Sequence, residues 1–179
     1  MEHRPGIIPG VPERIGRDGD RSPARGTRAP SRGLAIVTCM DPRIDVFSLL
    51  ALEPGDAHVI RNAGGVVTDD VIRSVAISQR VLGTRHTLVI QHTDCGMTTF
   101  SSEEFASEIE ADTGVRPAWS ARAFRDPMDE IRDSVERLVV SPFVGGSIRG
   151  MVLDVATGRL HEIDEGHAAA GAPGAVTPD

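Results

Sequence analysis

The sequence predicts an α/β domain, a mainly parallel β-sheet flanked by helices. Short apolar runs alternate along the chain with longer segments that read as helices. Such alternation implies strands joined by helical crossovers on both faces of one sheet. The helical segments also carry start and stop residues where a helix needs them. A length of 179 residues, 40% of them hydrophobic, suffices for one domain with a real core.

Residues 34–38 read as a buried strand. Asp41 and Pro42 then look like a helix start, the aspartate as N-cap and the proline at the first helical position, with the helix over 44–52. Residues 57–61 form a second strand. Thr68 caps a longer helix reaching about Leu82, with Asp69 and Asp70 favourable in its first turn and Gly83 as its stop. Residues 87–91 are the third strand, and helices follow over 102–113 and 127–139. A late strand covers 147–155, and Thr157-Gly158 turns the chain into a short strand at 159–163. The domain is expected to span 34–164. Residues 1–33, with five prolines and seven arginines, read as a flexible arm, and 165–179, rich in Ala, Gly and Pro, as a disordered tail.

The formal net charge of −7 argues against nucleic acid or an anionic membrane as partner. No apolar run approaches the length of a membrane span. The first residues lack the apolar segment of a secretory signal, so a cytoplasmic location is expected. All 19 basic residues are arginine, and there is no tyrosine. In a reducing compartment the two cysteines are free to serve as ligands.

Those cysteines occupy telling places. Cys39 follows the first strand run, and Cys95 lies three residues after His92, just beyond the third. Either fragment alone is commonplace, because a cysteine after a buried strand is usually a small buried hydrophobe. Together they offer two thiolates and one imidazole. That set makes a zinc site with its fourth position free for water, the layout of a catalytic rather than a structural zinc. In open α/β sheets, sites form at the carboxyl ends of strands where the strand order reverses. If strands one and three are neighbours, with strand two outside, Cys39 and His92 converge there and Cys95 returns on a tight loop helped by Gly96. Gly64-Gly65 reads as a turn that lets backbone approach the pocket, since no G-x-G-x-x-G fingerprint accompanies it. A redox role for the cysteines lacks a Cys-x-x-Cys motif.

Cys39-Met40-Asp41-Pro42-Arg43, Arg61-Asn62-Ala63-Gly64-Gly65 and His92-Thr93-Asp94-Cys95-Gly96 resemble, in order and separation, the motifs of the β-class carbonic anhydrases. The resemblance covers roughly 34–164 and looks closest to a small actinobacterial-type subgroup. It implies one zinc ion per chain, held by Cys39, His92 and Cys95. It implies reversible hydration of carbon dioxide to bicarbonate by a zinc-bound hydroxide. Asp41 would accept the hydroxide's hydrogen bond, and Arg43 would hold Asp41 through a charge-assisted pair. Asn62, Gly64, Gly65 and Val66 would line the substrate pocket, with Phe47 and Val67 as further pocket or interface candidates. A homodimer or dimer of dimers is expected.

The sequence departs from the family pattern in places. Pro42 stiffens the loop and removes an N–H. The N-terminal arm is unlike the helical arm usual in the family, and the family's substrate-pocket glutamine has no evident counterpart. The tyrosine used by some bacterial relatives for bicarbonate-linked control is absent. His58 and His86 are proton-shuttle candidates by residue type alone. Asp94 is expected to serve the ligand loop, Trp119 to pack a helical excursion against the core, and 129–137 to present a solvated charged face. Two alternatives share the motifs: a carbon disulfide or carbonyl sulfide hydrolase, and a non-catalytic zinc-binding oligomeric protein.

Overall fold

The computed structural model describes residues 27–163 and 167–169. Among these, six strands form one sheet in the order β2-β1-β3-β4-β5, with β6 also paired to β4. β1 (Leu34–Cys39) lies between β2 (Ala57–Asn62) and β3 (His86–His92) and runs parallel to both. β4 (Gly146–Asp154) continues the parallel set beside β3. β5 (Arg159–Glu162) and β6 (His167–Ala169) run antiparallel along the far edge of β4. Strands one and three are therefore neighbours, with strand two outside. The chain leaves β1 to one side and returns on the other, which opens a crevice at the carboxyl ends.

Strands β1 to β4 divide their side chains between two cores, as a period of two requires. Val37, Val89, Ile148 and Val152 meet α2 (Asp69–Arg80) and α4 (Pro127–Val139) through Val71, Val75, Ile131, Val135 and Leu138. On the opposite face Ile36, Leu88, Ile90 and Leu153 are covered by short α1 (Val46–Leu50) and by the chain around Met97, Phe100 and Phe124. α3 (Ser102–Thr113) buries none of its residues, and a capping box between Ser101 and Glu104 starts it. The α4–β4 contact depends on Gly150. A Cβ there would lie 2.8 Å from Ile163 and 2.9 Å from Ile131 and Val135.

The first helix differs from expectation. It is shorter, and its N-cap is Asp45, whose carboxylate accepts the Ser48 N–H at 3.2 Å. Asp41 is engaged elsewhere, by Arg43. Trp119 does not pack into the core: it is 60% exposed and stacks obliquely on Phe105. The 129–137 stretch is charged outward, but the same helix buries Ile131, Ser134, Val135 and also Glu130. The expected arm at 1–33 lies outside the described residues up to 26; beyond that, Ser31 and Arg32 donate backbone bonds to Gly55 and Asp56. The expected tail also lies mostly outside them, and its residues 167–169 pair with β4.

Glu130 accepts a hydrogen bond from Ser134 Oγ at 2.8 Å, and that oxygen accepts the Val67 N–H at 3.1 Å. Burial pushes the Glu130 carboxyl above its ordinary value, against the opposing pull of Ser134 and Arg122. A carboxyl raised by folding favours the folded state while protonated, and that contribution is lost as pH rises through the folded pKa. Glu130→Gln keeps an acceptor for Ser134 without the charge. Its urea midpoint relative to wild type should therefore rise between pH 5 and pH 8, and a gap constant with pH would contradict this. Gly150→Ala should cost about 1–3 kcal/mol by overpacking α4 on β4, read from the same urea curves.

Candidate metal centre

Cys39 ends β1, His92 ends β3, and Cys95 precedes a single 3₁₀ turn at Gly96–Thr98. One ligand atom from each lies within 4.8 Å of the others, and all three residues are buried. The two sulfurs are 4.0 Å apart and the cysteines are free. Two sulfurs about 2.3 Å from a tetrahedral ion would be separated by about 3.8 Å, so the spacing suits zinc.

The histidine is already prepared for a metal. Its Nδ1 lies 2.9 Å from the Thr93 carbonyl oxygen, which fixes the ring proton on that nitrogen. Its Nε2 is then a bare acceptor, buried and without a hydrogen-bond partner. An orphaned buried acceptor is rare in a native core, and a backbone carbonyl behind the ring is the usual outer support of a metal-bound imidazole. The donor set fits zinc. Among the described residues the cluster has three members, so a fourth coordination position is left open.

The sulfurs also need a cation. The bond with Cys95 pulls the Cys39 thiol below its ordinary value against burial. The same contact with Cys39, together with burial, pushes Cys95 up. Two thiolates at this distance repel each other in a buried site, so without a metal the pair shares a proton.

Asp41 stands beside the cluster, its Oδ2 4.0 Å from His92 Nε2. Arg43 grips both carboxylate oxygens, Nε to Oδ1 at 3.0 Å and Nη2 to Oδ2 at 2.7 Å. The Arg43 backbone N–H adds a bond to Oδ1 at 2.9 Å, the first amide available after Pro42, which has none. This fork holds the Asp41 carboxyl well below the usual range, so it stays ionised. Arg43 also reaches the ligand loop, through Asp94 Oδ2 at 2.6 Å and the Asp94 carbonyl at 2.8 Å. Asp94 thus ties its loop to Arg43 across an exposed edge.

Sequence reasoning left Arg61 without a role. Its Nε donates to the Cys39 carbonyl at 2.9 Å and its Nη2 to the Asp41 carbonyl at 2.6 Å, clamping the loop that carries both residues. A charged residue closing an apolar strand run was the available signal.

A cleft of about 620 Å³ is lined by Met40, Arg61, Asn62, Val66, Met97 and Trp119, among others. Asn62 and Val66 are among its lining residues. Gly64 and Gly65 do not line it; they form a buried turn behind Cys39. Gly65 has φ +63, and a Cβ on it would sit 2.7 Å from the Cys39 nitrogen, so neither the space nor the backbone admits a side chain. Val67 is core rather than lining, and Phe47 is partly exposed. His58 bonds Ser78, and His86 begins β3 at the end opposite His92. At about 3.3 Å per residue, both stand too far from the cluster for a direct proton transfer.

The family model described as Carbonic anhydrase matches residues 34–137. Beta-carbonic anhydrase 1 of Mycobacterium tuberculosis is 54% identical over 136 residues, spanning 75% of this chain and 83% of that protein. The carbon disulfide hydrolase of Saccharolobus solfataricus is 47% identical over 107 residues, spanning 59% of this chain and 52% of that one. The crystal structure of a carbonic anhydrase from Streptococcus mutans superimposes with a TM-score of 0.73 at 41% identity, covering 80% of this chain and 88% of the other. Motifs, fold and ligand geometry agree with these likenesses, and the chain belongs to the β-carbonic anhydrase family.

Proposed function

We propose that this chain catalyses the reversible hydration of carbon dioxide to bicarbonate and a proton, with Cys39, His92 and Cys95 holding zinc and Asp41 and Arg43 positioning the nucleophile. One observation carries the reading: three buried ligand atoms converge beside a carboxylate that an arginine fork keeps ionised and oriented. Zinc, when bound, supplies a Lewis acid that makes a water nucleophilic near neutral pH. The chain's own residues supply the rest. Ionised Asp41 can only accept a hydrogen bond, so it selects the orientation in which the nucleophile's lone pair faces the substrate. Arg43 keeps that carboxylate from swinging toward the metal ligands. Val66 and Met97 give the neighbouring cleft apolar walls suited to an apolar gas.

Exposed Met40 and Trp119 border the same cleft, which supports a homodimer or dimer of dimers. Two unpaired cysteines support a reducing compartment, the cytoplasm. Among the described residues no helix is long and apolar enough to cross a membrane.

The likeness to carbon disulfide hydrolases favours a second reading, in which the same centre hydrolyses carbon disulfide. Stopped-flow assays on protein of known zinc content separate the two. The expected result is about one zinc per chain and rapid carbon dioxide hydration. Asp41→Ala should lower kcat/KM by about a hundredfold or more while retaining zinc. Full zinc occupancy with no hydration between pH 6.5 and 9, together with sulfide release from carbon disulfide, would establish the second reading instead.

A further inference from the structure

Asp94 stands between His92 and Cys95 with a φ of +55. That left-handed backbone costs free energy for any residue other than glycine, and aspartate and asparagine tolerate it best among the rest. Two other described residues share it: Ala51 closes the end of α1, and Arg122 lies outside the helices and strands. A strained residue points to function when its surroundings hold it in place.

Both flanks of Asp94 are fixed. Thr93 donates its N–H to the Leu153 carbonyl at 2.9 Å, and its Oγ1 accepts the Val155 N–H at 3.1 Å. The Cys95 carbonyl accepts the Thr98 N–H at 3.0 Å and the Thr98 hydroxyl at 2.8 Å. Arg43 holds Asp94 itself, Nη1 to Oδ2 at 2.6 Å and Nη2 to the carbonyl oxygen at 2.8 Å. An exposed ion pair alone contributes little, but one guanidinium bound to both the side chain and the backbone of a residue fixes its conformation. The freedom that remains is the orientation of the peptide between Thr93 and Asp94. Between fixed flanks such a peptide can turn over by half a revolution, as it does between the two common β-turn types. The turn-over exchanges positive for negative φ at the residue that follows.

In the observed orientation the Thr93 carbonyl oxygen meets His92 Nδ1 at 2.9 Å. A carbonyl only accepts, so the ring proton sits on Nδ1 and Nε2 keeps its lone pair for a metal. Turned over, the peptide would take its carbonyl away and direct the Asp94 N–H at the ring. Nδ1 would then accept, the proton would sit on Nε2, and the ligand atom would be lost. A residue that resists positive φ favours that turned-over peptide. We infer that Asp94 selects the metal-binding tautomer of His92: its left-handed backbone, clamped by Arg43, keeps the Thr93 carbonyl on Nδ1. Arg43 thereby serves the ligand as well as Asp41. The inference rests on the reading of Cys39, His92 and Cys95 as a zinc site.

The experiment is zinc affinity by competition with a chromophoric chelator, for wild type, Asp94→Asn, Asp94→Ala and Asp94→Val, with histidine nitrogen-15 NMR of the wild type as purified. Asparagine tolerates positive φ, alanine less, and β-branched valine least. Affinity should follow that order. It should stay within about twofold of wild type in Asp94→Asn and fall about tenfold or more in Asp94→Val, the range typical of groups that support metal ligands. Asp94→Ala should lie between. The spectrum should place the His92 proton on Nδ1. Loss of the charge alone would weaken all three variants alike, so equal weakening would overturn the inference. Wild-type affinity in Asp94→Val, or a wild-type His92 proton on Nε2, would overturn it too. Should Asp94→Val fail to fold, the difference between Asp94→Asn and Asp94→Ala decides. A wild type that binds no zinc yet carries the proton on Nδ1 would overturn the zinc reading and leave the tautomer assignment standing.

Discussion

The parallel pairing of β1 with β3 is the constraint on which the rest of the structure depends. Thr38 lies opposite Ile90 in that ladder, so the two strands end together and deliver Cys39 and His92 to one point. The pairing places β2 on the other side of β1, which opens the crevice. A sheet with strands one and three apart would carry the same three motifs and make no site. Because the strand period is two, a one-residue slip would turn His92 to the opposite face.

Once the ligands converge, charge governs the surroundings. Two buried sulfurs at 4.0 Å cannot both ionise without help. A zinc ion held between them would supply it. Arg43 balances Asp41, and Arg61 spends its donors on the Cys39 and Asp41 carbonyls. The site is therefore a layered arrangement in which each negative group has a specific donor. The glycine turn packs directly against the β1 terminus, where a side chain on Gly65 would not fit.

Local signals were the legible part of the sequence. Apolar runs and the Thr68 cap located the strands and a long helix, because caps and periodicity act over a few residues. The ligand set was legible because few side chains do metal chemistry, Cys39 and His92 end strands, and Cys95 follows His92 by three residues. What stayed hidden depends on contacts distant in sequence. Asp41 looked like a cap, and only the folded loop shows Arg43 taking its carboxylate while Asp45 caps the helix. Trp119 was expected to pack a helical excursion against the core, yet it lines the cleft and is exposed. Arg61 stood in a motif without a visible role, since it acts on a backbone carbonyl 22 positions away.

X-ray absorption at the zinc edge of the purified protein tests the central claim most directly, because it counts the ligands without reference to activity. Two sulfur scatterers at about 2.3 Å and two lighter ones at about 2.0–2.2 Å, one of them imidazole, are the predicted shell. Cys95→Ser should remove one sulfur from it. A shell with no sulfur, or one whose sulfurs survive the loss of Cys95, would contradict the convergence of β1 and β3 on a single zinc centre.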